Sequence, residues 1–194
     1  MDLSNMNWGA VIGILAALGL VVFIIVLVLY LVDALARFKY LKVRNYANAW
    51  MAFIPIANIY STVEATYGAE DKINVYGLWV PSVLIKLYPL VLGVAASILV
   101  NIPFIGGIIG TLVYVAQVAL GVMILRDMME RVGKDISVGL AIVACIIPIV
   151  ASIIILSSCS GMSDGQYDYM SDSRILNSQA DMNGPLSGLG KKFQ

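Results

Sequence analysis

Lys86 is the residue in this chain with the clearest capacity for chemistry. It lies about a dozen residues inside an otherwise uncharged stretch, between Pro81 and Pro89. An ionisable side chain at membrane depth marks a functional site by default. Prolines free backbone carbonyls that can solvate an ammonium group. The competing reading is a structural lysine held against carbonyls, or one whose long stem carries its charge to an interface. Glu64, in the preceding apolar segment, is its candidate partner.

The rest of the inventory excludes more than it offers. Histidine is absent, which removes the commonest general base and the commonest metal ligand. Two cysteines, Cys145 and Cys159, make neither a disulfide framework nor a zinc site. Ser97, Ser152 and Asp33 are present, but no base accompanies a serine. Asp164, Asp168 and Asp172 recur every four residues, too sparsely for a calcium loop, which also needs a closing Glu. Leu156-Ser157-Ser158-Cys159 matches a lipoprotein cleavage pattern, but such patterns belong at chain starts; a small interfacial cysteine is the simpler reading. Asp127, Glu130, Arg131, Lys134 and Asp135 read as a solvated charged loop. Gly106-x-x-x-Gly110 and Gly9-x-x-x-Gly13 are small-residue spacings that let helices approach closely. Packing within the chain is favoured over dimerisation as their use. No catalytic site, cofactor or metal is expected.

These residues must be positioned by elements that sit in lipid. The chain has 194 residues, of which 60% are apolar and 12% charged. Soluble domains carry roughly 25% charged residues. The net charge is zero, so nothing points to nucleic acid. The expected fold is all-α, an integral membrane bundle of four transmembrane helices plus one half-helix. The spans fall at about 9–32, 75–100, 103–125 and 137–156. About 20 apolar residues suffice to cross. No basic residue precedes the first span, so it does not read as a signal peptide. The segment at about 47–66, interrupted by Pro55, is shorter and reads as an interfacial or re-entrant half-helix. Residues 157–194 are Ser-, Gly-, Asp- and Asn-rich and read as a disordered polar tail.

Charge distribution suggests an orientation. Arg37, Lys39, Lys42, Arg44, Lys72, Arg126, Arg131 and Lys134 are eight of the twelve basic residues. Four spans with the start outside place all eight in the cytoplasm. Both termini are then extracytoplasmic. An Ile-Pro core also recurs, at Ile54-Pro55, Ile102-Pro103 and Ile147-Pro148. Repeats with broken helices are a common transporter construction.

The stretch Ala49-Trp50-Met51-Ala52-Phe53-Ile54-Pro55-Ile56-Ala57-Asn58-Ile59-Tyr60 resembles a group of small bacterial multi-pass membrane proteins of uncharacterised function. In that group a basic segment ends near a Trp, followed by an Ile-Pro core and Asn-(Ile/Leu)-Tyr. Asn101 to Gly133 and Gly139 to Ile149 are similar to its later helices. The likeness covers roughly residues 34–156. Gly106-Gly107 and the long polar tail depart from it. The resemblance implies an architecture and a bacterial cell membrane, and no activity.

The expected role is non-enzymatic: a structural or interaction subunit of a membrane assembly, with lipid and a second copy or a complex member as partners. The alternative is a small transporter or channel with Lys86 on its pathway.

Overall fold

The computed structural model describes residues 8–68, 70–99, 102 and 106–170. Helix α1 is Trp8–Val43. A 3-10 turn, Ala49–Phe53, leads to α2, Ala57–Tyr67. Strands β1 (Lys72–Val75) and β2 (Leu78–Pro81) form an antiparallel hairpin, with Lys72 opposite Pro81. Then follow α3 (Ser82–Lys86), α4 (Tyr88–Leu99), α5 (Gly106–Arg131), α6 (Val138–Ile146) and α7 (Pro148–Cys159).

The all-α expectation stands as a mostly helical chain, but four spanning helices do not. Among the described residues, two helices are long and apolar enough to cross a membrane, α1 and α5. α1 has 36 residues, about 54 Å at the helical rise. It runs past the expected end at 32 and carries Arg37, Lys39 and Lys42 on its last turns rather than in a loop. α5 likewise extends past 125 to Arg131, absorbing most of the expected charged loop. It ends where Gly133 takes φ +71. There Lys134 N donates to Met129 O at 2.9 Å, the closing bond of a glycine-terminated helix.

The expected span 75–100 is a hairpin and two helices. Lys-Ile-Asn-Val and Leu-Trp-Val-Pro flank Tyr76-Gly77, both at positive φ, the two-residue turn whose twist matches paired strands. Asn74 Oδ1 accepts from Gly77 N at 2.7 Å. Pro81 then precedes α3, and α3 stops at Lys86. Pro89, with no N–H to give, fits only the first turn of the next helix.

The expected span 137–156 is broken at Ile147-Pro148. Ser137 caps α6 through its hydroxyl, accepting from Leu140 N at 3.3 Å. Ile147, restricted by the following proline, is extended at φ −116. Pro148 then opens α7 as first-turn proline. The two helices have 9 and 12 residues, about 14 and 18 Å, short of the ~30 Å hydrocarbon thickness.

Their direction explains the break. α7 runs parallel to α1: Ser152 Oγ meets Asp33, Met162 O accepts from Lys39, and Gly165 N donates to Lys42 O. Arg44 Nη1 donates to Arg131 O at 3.4 Å, so α5 ends at the same level as α1. α6 therefore leaves this basic end and α7 returns to it, as a helical hairpin. The segment 45–67 makes a similar excursion. It rises to Tyr30, whose hydroxyl donates to Phe53 O at 2.9 Å. It then descends as α2 to Thr66, bonded to Tyr40 at 2.9 Å. Pro55 and Pro148 sit at the two apices. Ile56, just after Pro55, is held at φ +70, a strained position for a β-branched residue. Pro103 lies outside the described residues.

The half-helix expected at 47–66 is divided at Pro55 into the 3-10 turn and α2. Its α2 part is buried through Asn58, Ser61, Thr62, Val63, Ala65, Thr66 and Tyr67 rather than lying at the lipid interface. The polar tail does not begin at 157. α7 continues to Cys159, and the amides of Gly165, Tyr167 and Tyr169 donate to the carbonyls of Lys42, Val43 and Arg44. Residues 171–194 lie outside the described set. Tight packing is concentrated at the basic end, where Tyr40, Leu41, Val63, Met129 and Ile155 are fully buried. Residues 12–29 of α1 are exposed.

Candidate functional site

Lys86 and Glu64 are brought together. Lys86, the last residue of α3, is 7% exposed. Its Nζ lies 3.5 Å from Glu64 Oε1 and 5.3 Å from the centre of the Tyr60 ring. Glu64 Oε2 accepts from the Tyr46 hydroxyl at 2.6 Å. Tyr46 packs on Tyr169, ring centres 5.5 Å apart. Burial first, and then the hydrogen bond to Glu64, push the Tyr46 phenol well above its ordinary pKa. Burial and the nearby Glu64 charge raise Tyr169 as well. Lys86 is thus neutralised by a carboxylate and a ring face rather than by freed carbonyls. It borders a small cavity of about 50 Å³ with Ile56, Ile59 and Pro89.

The larger cavity, about 310 Å³, lies elsewhere and has its own polar group. Asp33 and Arg37 are one helical turn apart on α1 and both line it. Arg37 Nε donates to Asp33 Oδ2 at 2.7 Å, and Ser152 Oγ donates to Asp33 Oδ1 at 3.3 Å. Tyr88, Tyr114, Gln117 and Cys145 add polar or polarisable atoms to a wall that is otherwise aliphatic. Ile59 and Pro89 border both cavities. The space exists because Gly121, Ala144 and Ala151, from α5, α6 and α7, are small. A Cβ on Gly121 would lie 3.1 Å from Cys145 Sγ.

The sequence displays Asp33, Arg37 and Ser152 without joining them. A signal for the first pair exists: Asp and Arg four residues apart on a continuing helix face each other. The link to Ser152 spans 119 residues and has no local signature.

Gly106 is buried and Gly110 half-buried on α5, which packs against α4. A Cβ added to Gly13 or Gly107 would meet nothing within 4 Å. Cys159 is fully buried. A third polar group ties the basic end: Arg44, 1% exposed, donates from Nε to Ala65 O at 3.1 Å. Tyr67 donates to Asp127 at 2.5 Å. Among the described residues, no three Cys, Asp or Glu side chains gather to hold a metal ion. The chain matches no family model, no curated protein and no solved structure.

Proposed function

We propose that this chain is a non-enzymatic, membrane-embedded interaction subunit that associates through the outer half of α1. One observation carries the reading. Residues 12–29 of α1 are exposed around the whole helix, although from Ala34 onward the same helix buries Ala34, Ala36, Tyr40, Leu41 and Val43. Helices in lipid associate by close backbone approach at small residues. Gly9, Gly13 and Ala17 recur every four residues on one face, and the chain's own packing leaves Gly13 uncovered. The partner is a second copy or another membrane helix of a larger assembly.

The test is subunit counting and co-purification in mild detergent, comparing the natural chain with Gly13→Leu/Ala17→Leu. Association that is lost in the variant supports the reading. A lone monomer in both overturns it.

Orientation follows from the basic end. Arg37, Lys39, Lys42, Arg44, Arg126, Arg131 and Lys134 belong on the cytoplasmic side by the positive-inside rule. The start of α1 is then outside. Residues 163–170, which pack on the end of α1, are cytoplasmic. This replaces the extracytoplasmic placement that four full spans would give the region after α7.

A second reading, a small transporter with Lys86 on its pathway, is favoured by the sharing of Ile59 and Pro89 between the two cavities. Lys86→Met would then abolish flux in liposomes while the protein inserts normally; unchanged flux removes this reading.

A further inference from the structure

We propose that the larger cavity binds an uncharged small molecule with an apolar body and one hydrogen-bonding oxygen, of the class of medium-chain alcohols and amides. Its volume, about 310 Å³, lies at the small end of ligand pockets. Its wall is mainly aliphatic, from Ile59, Val63, Val118, Leu125 and Ile155, which suits an apolar body.

The polar side chains supply the selectivity. Among the described residues, the Arg37 guanidinium is bonded only through Nε, to Asp33. The Tyr88 hydroxyl and the Gln117 amide line the cavity and make no hydrogen bond within the described chain. These groups can donate to a ligand oxygen. Asp33 and Arg37 cancel each other's charge at 2.7 Å. A carboxylate or ammonium ligand would bring an uncompensated charge into an apolar wall, which a low dielectric penalises. A neutral ligand does not. Asp33 is the first charge after the uncharged run of α1, so a molecule dissolved in the surrounding lipid meets the cavity from the bilayer side. Binding here is independent of α1 association. Transport would require it, but it does not require transport.

The experiment photolabels the full chain in lipid nanodiscs with diazirine-bearing octanol. Octanol, octanoate and octylammonium serve as competitors. The expected labels fall on residues 114–121 and 144–155, and octanol alone competes. Ala151→Phe fills the space and removes the label. Asp33→Asn keeps an acceptor for Ser152 but leaves Arg37 unbalanced, so competition shifts toward octanoate by about tenfold or more. On the unaltered chain, octanol slows methanethiosulfonate modification of half-exposed Cys145. Labelling confined to residues 12–29, equal competition by octanoate in the natural chain, or an unprotected Cys145 each overturns the proposal.

Discussion

The Gly165 amide donates to the Lys42 carbonyl at 2.8 Å, so the segment after α7 lies beside the end of α1. Asp164 strengthens the placement, with Lys39 Nζ at 3.4 Å and Lys42 Nζ at 3.9 Å. These exposed pairs contribute little energy, about 0–1 kcal/mol each. The backbone bonds to Lys42, Val43 and Arg44 set the register.

The first prediction concerns sidedness. In a cysteine-free background, Ala47→Cys and Gln166→Cys, both at exposed positions, are expected to react with an impermeant thiol reagent from the same side of sealed vesicles. Reaction from opposite sides would mean that α6 and α7 cross after all.

A second prediction concerns the Lys86–Glu64 pair. Lys86 is buried but the Glu64 side chain is 25% exposed, so removing Lys86 leaves Glu64 partly uncompensated, at about 1–3 kcal/mol. Lys86→Met is expected to lower thermal stability in detergent markedly. Lys86→Met combined with Glu64→Gln should recover much of the loss. A double variant no better than the sum of the singles would show that the two side chains do not act as a pair.

Alkaline pH gives the third. Folding raises the Tyr46 phenol above its ordinary value of 10.0, by burial and then by the Glu64 hydrogen bond. A raised phenol pKa means that folding favours the protonated form. This stabilisation is complete below pH 10 and is lost as pH rises toward and through the folded-state value. Tyr169 shifts the same way. The natural chain should therefore exceed Tyr46→Phe in melting temperature at neutral pH, and the gap should shrink above pH 10. A gap that stays constant across that range contradicts the assignment.

The fourth addresses the end of α5. Gly133 is at φ +71, and a Cβ there would meet the Tyr167 hydroxyl at 3.2 Å. Gly133→Ala is expected to cost about 1–2 kcal/mol from the backbone alone. Crowding adds to that cost, and Tyr167→Phe should relieve the crowding in part. The readout is the melting temperature of the single and double variants. A neutral Gly133→Ala would show that the helix end relaxes freely.

Some of this architecture is readable from local pattern. The uncharged run from Gly9 to Val32 exceeds what a bilayer needs, so α1 follows from composition. The Ile-Pro recurrence is visible too, and two of its three members fall at the apices of excursions. The hairpin at 72–81 is hidden because Ile, Val, Leu and Trp serve strands and lipid-facing helices equally well. Short apolar runs do not announce their period. Asp33 and Arg37 stand at an i, i+4 spacing, but a helix that stops at 32 leaves them in a loop. Only the continuation of α1 to Val43 turns the spacing into a contact.

Composition and charge order alone set a long uncharged run able to cross a membrane, the mostly helical character, the lack of histidine and the clustering of basic residues. These follow from counts and short spacings, which no folding can alter. Tertiary structure decided which apolar runs form one long helix and which are broken and fold back. A run such as 137–156 is apolar throughout, and only the docking of α7 alongside α1 turns it back toward the basic end. Tertiary structure also decided the partners of the charges. Lys86 reaches Glu64 across 22 residues and Asp33 reaches Ser152 across 119, because helices far apart in sequence pack side by side.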